Sequence, residues 1–314
     1  MENLIFSLNA TVPIFLLMIL GIFLRKIGWV DHAFASKMNT FVFRLPLPVL
    51  VFSDLATVDF SQVWDVRFVL FCFFATLFSI ALAALLSRIW KATPIQGEFI
   101  QASYRSSAAL LGIAFIQNIY GTAGMAPLMI IGSVPLYNIM AVLVLSLCKS
   151  NQQGLSGDVL RNTLKGIVTN PILIGIAAGL LWSAIGIPMP SIAAKTISNI
   201  GSIATPMGLI AMGASFDFQK ARAKLAPAVT ASFLKLIGFA ALFLPLAVSF
   251  GFREEKLVAI LVMLGSATTV SSFVMAKNMG HEGVLSSSVV MLTTMFSAFT
   301  LTGWLYLLKC MGVI

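Results

Sequence analysis

Residues 101–121 read QASYRSSAALLGIAFIQNIYG, and residues 264–280 read LGSATTVSSFVMAKNMG. Both stretches are apolar enough to lie in a bilayer, yet both are interrupted by small polar residues: Ser106, Ser107 and Gly112 in the first, Ser266, Thr268, Thr269 and Ser271 in the second. Hydroxyls and glycine at that depth mark either a helix that unwinds or one packed tightly on its neighbours. An unwound stretch exposes backbone N–H and C=O groups, and the helix beginning beyond it aims positive partial charge at the gap, which suits an anion.

The rest of the 314-residue chain places these stretches in a membrane. Hydrophobic residues make up 59% and charged residues 10%, against ~45–50% and ~25% in a soluble domain, and the mean hydropathy is +0.99. Too little polar surface exists to cover a globule in water, which excludes a soluble enzyme, a disordered chain and a nucleic-acid-binding domain. A ruler of ~20 apolar residues gives ten spans, at about 6–24, 38–57, 67–87, 97–120, 125–148, 168–186, 194–214, 226–250, 254–277 and 284–308. The expected fold is therefore an all-α polytopic membrane protein of ten helices. Arg25-Lys26 follows the first span and no A-x-A-like site comes after it, so that span is read as a retained helix.

The net charge of +9 is spread in small groups between spans, as a topology signal is. Alternate loops hold Arg25, Lys26, Lys37, Arg88, Lys91, Lys149, Arg161, Lys165, Lys220, Arg222, Lys224 and Lys277, twelve in all; the others hold only Arg67, Arg253 and Lys256. Basic loops stay cytoplasmic. Both termini are thus expected outside a cytoplasmic membrane, with the loop at 149–167 in the cytoplasm. That loop joins repeats at 1–148 and 168–314, five spans each, which must run in opposite senses. Matched residues agree: Pro48 precedes Asp59-Phe60 as Pro206 precedes Asp217-Phe218, and Ser106 precedes Asn118 as Ser266 precedes Asn278. Inverted repeats of this kind build secondary transporters, whose site lies where broken helices meet at mid-membrane.

Candidate site residues follow from depth. Arg105 lies about nine residues, or ~13 Å, inside the fourth span, where an arginine costs ~2.5–3.5 kcal/mol. It either serves an anion site, or snorkels, or pairs with a loop acid such as Glu98. Pro135 and Asn138 in the fifth span form a kink with an amide beside it, which lines the site or bonds freed backbone. Lys195 can reach the outer interface, and Lys235 snorkels, pairs or functions. His32 and His281 are read as solvated loop residues. Asp54 lies near a span end and the other acids in loops, so no acid is placed at mid-membrane. Cys72, Cys148 and Cys310 sit in apolar segments without metal-ligand spacing and are read as core packing. No metal or cofactor is expected.

The stretches NTFVFRLPLPVLVF, FIQASYRSSAALLGIAF, VPLYN, Asn170-Pro171, TPMGLIAMGASF and SATTVSSFVMAKNMG, in this order and spacing, resemble the auxin efflux carrier family, which includes bacterial malate and malonate permeases. The resemblance covers nearly the whole chain. It implies two inverted five-helix repeats, a scaffold of helices 1, 2, 6 and 7, a transport domain of helices 3–5 and 8–10, and an anion bound where helices 4 and 9 cross at their breaks. It also implies a homodimer through the scaffold. Where the family pattern has Asn after the arginine and Pro after Gly-Ile, this chain has Ser107 and Ala114, and Ala267 stands in place of the crossover proline of helix 9.

The expectation is a secondary carrier of a small mono- or dicarboxylate such as malate or malonate, working by elevator-like or rocking movement and not as an enzyme. Its substrate would meet Arg105, Ser106, Ser107, Gly112, Ala114, Asn138, Ser266, Ala267, Thr268 and Thr269, with Ser271 and Asn118 as candidates for ion coupling. Proton or sodium coupling both stay open: no membrane-embedded acid or histidine is evident, whereas hydroxyls and carbonyls can hold sodium. A channel or a receptor for a small anion is the alternative. Nucleic acid is not an expected partner.

Overall fold

Residues 2–56, 65–90, 92–108, 113–121, 124–148, 166 and 168–314 are described by a computed structural model, and their regular structure is helical throughout. Helix α1 (Glu2–Lys26) leads into α2 (His32–Arg44), which Asp31 caps by accepting the Phe34 amide at 2.6 Å. The chain bends at Leu45, which leaves the helical path at φ −128° and ψ −71°, and resumes as α3 (Pro46–Ala56). Asp65 caps α4 (Val66–Ser87) through the Phe68 amide at 3.1 Å and pairs with Lys256 at 2.6 Å. That hydrogen-bonded ammonium holds the Asp65 carboxyl below its usual range.

The first interrupted stretch follows, as α5 (Thr93–Tyr104) and α6 (Ile113–Tyr120), then α7 (Ala126–Leu147). In the second half come α8 (Pro171–Ile185), α9 (Ser191–Ser202), α10 (Ala204–Ser215) and the short α11 (Phe218–Ala223). Next are α12 (Leu225–Phe233), a π-helical turn at Leu234–Gly238, and α13 (Phe239–Ser249). The second interrupted stretch is α14 (Glu254–Gly265) and α15 (Ser271–Asn278), and α16 (Val284–Cys310) closes the chain.

Among the described residues, six helical stretches are long and apolar enough to cross a bilayer: His32–Ala56, Val66–Ser87, Ala126–Leu147, Ser191–Ser215, Leu225–Ser249 and Val284–Cys310. Helix α8 is apolar but only 15 residues long. The segments 97–120 and 254–277 are not continuous helices, because their polar middles leave the helical path. Asp59-Phe60 and nearly all of the 149–167 loop lie outside the described residues. Bulky apolar side chains cover the outside, among them Phe78 at 60% and Ile192 at 82% exposure, a surface that suits lipid and not water.

Glycine sets how closely some helices approach. A Cβ on Gly175 of α8 would come 2.5 Å from the Pro48 carbonyl oxygen of α3, so nothing larger fits that crossing. Helix α3 packs on α8 and α9, and α1 packs on α10.

Three sequence readings are corrected here. Glu98 is not a loop acid: it is buried in α5, and its carboxylate accepts the Gly283 amide at 3.0 Å, the Ser286 amide at 2.9 Å and the Ser286 hydroxyl at 3.0 Å. A carboxylate on those amides satisfies orphan donors at the positive end of α16. His281 is buried rather than solvated, with Nε2 2.8 Å from the Leu145 carbonyl oxygen. Cys72 is core, but Cys310 at the end of α16 is exposed.

Candidate functional site

Helix α5 stops because Arg105 turns to extended backbone, at φ −67° and ψ 136°. Helix α14 stops the same way at Ser266, at φ −78° and ψ 166°. The two extended stretches meet: the Ser107 amide donates to the Ala267 carbonyl at 3.0 Å, and the Ser106 and Ser266 hydroxyls bond to each other. Each stretch also supplies a hydroxyl to the other's helix. Ser106 donates to the Val262 carbonyl of α14 at 3.2 Å, and Thr268 donates to the Ala102 carbonyl of α5 at 2.8 Å. The Ala102 carbonyl, which the break in α5 leaves without its helical donor, is thereby satisfied, and the Val262 carbonyl accepts Ser106 beside the Ser266 amide.

More donors converge on the end of α14. Lys235, fully buried in the π-helical turn, donates to the Met263 carbonyl at 3.2 Å and the Leu264 carbonyl at 2.8 Å. Tyr137 donates to the same Met263 carbonyl at 3.2 Å. A basic side chain on the last carbonyls of a helix suits its negative end.

Arg105 is buried, and its Nη2 donates to Asn138 Oδ1 at 2.8 Å and to Ser271 Oγ at 2.7 Å. Its Nη1 lies against the Met275 sulfur, and its Nε has no hydrogen-bond partner. Glu98 does not pair with it, which decides against the salt-bridge alternative. Asn138 also donates to the Val134 carbonyl at 3.0 Å, so one amide braces α7 beside Pro135 and orients the guanidinium.

The guanidinium opens on a cavity of about 60 Å³ between α2, α3, α7, α10 and the two breaks. That is room for several waters. Arg105, Ser106, Ser107, Asn138, Thr269 and Ser271 line it, and the start of α15 adds positive partial charge from that side. Ser266, Ala267 and Thr268 are buried in the second break and hold it to the first without lining the cavity. Asn118 is exposed on α6 and Ala114 lies in the same helix, while Gly112 falls outside the described residues.

Asp54 also lines the cavity. Asp54 does lie near the end of its span, two residues before the close of α3, and the fold brings it to the same cavity as Arg105. Tyr137 and Thr205 are further lining residues that sequence reasoning missed. The signal for Asp54 was an acid inside an apolar span; what hid its role was its position close to that span's end.

A family model described as membrane transport protein matches residues 6–305. An uncharacterized transporter of Methanothermobacter thermautotrophicus is 22% identical over 303 residues, covering 95% of this chain and 97% of that one.

Proposed function

Because the chain belongs to the membrane transport protein family, that of the auxin efflux carriers, we propose that it is a secondary carrier that moves a small organic anion, a mono- or dicarboxylate such as malate or malonate, across the cytoplasmic membrane. One observation carries this reading: a buried arginine, oriented by Asn138 and Ser271, faces a small cavity at the meeting point of two broken helices. A guanidinium is matched to a carboxylate by its fork of donors, and the N-terminus of α15 adds attraction of the same sign.

The transport step is alternating access around the crossing of the two breaks. Ten spans in two inverted five-helix repeats account for the packing. Helix α1 packs on α10 as α8 packs on α3, so the first span of each half pairs with the second span of the other. These helices form the scaffold, through which two copies associate, and the helices carrying the breaks form the moving part.

The test is uptake of labelled malate, malonate and pyruvate into proteoliposomes. Saturable uptake with counterflow of labelled against unlabelled anion is expected, and a channel would give flux without counterflow. Arg105→Ala should lose at least ~90% of flux while keeping its expression and elution profile. Full flux in that variant would remove Arg105 from the site.

A further inference from the structure

The anion cavity holds two opposite charges that do not touch. Asp54 on α3 and Arg105 after α5 both line it, yet they form no ion pair, and Asp54 has no hydrogen-bond partner among the described residues. Arg105 is committed elsewhere, to Asn138 and Ser271. The charged and titratable groups lining the cavity are Asp54, Arg105 and Tyr137. Helix α8, packed on α3, contributes none, while Lys195 of α9 and Arg44, His32 and Lys37 of α2 are exposed. Helix α10 contributes none either.

Charge balance then sets what the cavity accepts. With Asp54 ionised, the pair is neutral overall, and an incoming carboxylate must sit beside a second carboxylate in a space with few waters, which is unfavourable. With Asp54 protonated, the cavity carries the single positive charge of Arg105 and matches one carboxylate. Three of the hydroxyls at the breaks are already engaged within the protein, while those of Ser107 and Thr205 also line the cavity. Ser106 serves Val262 and Ser266, Thr268 serves Ala102, and Ser271 accepts from the guanidinium.

We propose that Asp54 is the proton-coupling group of this carrier: it takes up a proton from the side to which the cavity is open, the proton and the carboxylate cross together, and Asp54 releases the proton on the far side. The inference rests on the anion reading of the Arg105 cavity. For a monocarboxylate the cycle carries one proton and one negative charge in the same direction, so it is electroneutral, and Arg105 stays protonated throughout. Binding is favoured at low pH and falls about tenfold per pH unit once Asp54 is ionised in the free carrier, because each binding event then takes up one proton.

The experiment uses the full chain in proteoliposomes with labelled pyruvate, the membrane potential clamped, and Asp54→Asn beside the wild type. In the wild type an inward proton gradient should drive accumulation, a sodium gradient should not, and counterflow should weaken as pH rises. In Asp54→Asn, whose amide mimics the protonated acid, counterflow should persist and lose its pH dependence, and proton-driven accumulation should vanish. Wild-type counterflow together with an Asp54→Asn variant that still accumulates pyruvate on a proton gradient overturns this inference alone. Absence of counterflow of pyruvate, malate and malonate in the wild type overturns the anion reading, and this inference with it. Should Asp54→Asn fail to fold, Asp54→Glu keeps a titratable carboxyl on a longer arm: a displaced pH midpoint of counterflow supports the assignment, and an unchanged one refutes it.

Discussion

Lys235 and Arg105 are both buried cations without an acidic partner in contact, and their surroundings separate their roles. Arg105 spends its donors on side chains at the wall of a cavity, whereas Lys235 spends its donors on two backbone carbonyls. Lys235 is therefore a clamp on the end of α14. Replacing it with methionine keeps the stem's packing but removes the only side-chain donor to the Leu264 carbonyl among the described residues; the Met263 carbonyl keeps Tyr137. A buried carbonyl left unpaired costs about 1–3 kcal/mol. Lys235→Met should thus lower the thermal unfolding midpoint in detergent, and an unchanged midpoint would show that the carbonyls need no clamp. From sequence alone Lys235 was a lysine in a span that could snorkel or pair. What decides is the end of a helix 28 residues further along, which no local pattern reports.

The breaks themselves make a prediction at the level of the elements. Ala267 stands where the family resemblance implies a proline, and its amide makes no hydrogen bond among the described residues, while Ser266 before it is extended at ψ 166°, as suits a pre-proline residue. Ala267→Pro should be tolerated, with flux retained and stability unchanged or raised by up to about 1 kcal/mol. Ser107→Pro should behave in the opposite way, because the Ser107 amide is a backbone donor from one break to the other. Its loss should cost about 1–3 kcal/mol, read as a lower unfolding midpoint and reduced counterflow. The pair separates proline's effect on backbone freedom from its effect on one hydrogen bond. The elements were largely legible in the sequence, since hydrophobic run length is a local quantity, and the two interruptions were visible as hydroxyls and glycine among apolar residues. Arg105 was legible because its desolvation cost depends only on depth. Asp54 was not: its distance from the span end, counted along α3, says nothing of a cavity that reaches it from across α7 and α10. Glu98, in the middle of α5, and His281, between α15 and α16, were misread for the same reason, as both are covered by residues distant in sequence.

For the whole molecule, the proposed mechanism requires one group of helices to move against another. The packing says where that motion must be felt. Within the proposed scaffold, contacts such as Gly175 on Pro48 leave no room for a methyl group, so sliding there is opposed by hard-sphere contact. Between α2 of the proposed scaffold and α15 beyond the second break, the contact includes two side-chain hydrogen bonds to backbone: Asn39 donates to the Val274 carbonyl at 3.5 Å, and Asn278 donates to the Asn39 carbonyl at 3.2 Å. Hydrogen bonds of this kind are exchangeable, and their loss costs little when water or another carbonyl replaces them. Cysteines at Asn39 and Asn278, in a background where Cys72, Cys148 and Cys310 are alanine, can be bridged by oxidation or by a short thiol reagent. Bridging should stop at least ~90% of pyruvate counterflow, and reduction of the disulfide should restore it. Undiminished counterflow with the bridge intact would mean that α15 does not move relative to α2, and the anion would then have to cross by rearrangement of the breaks alone.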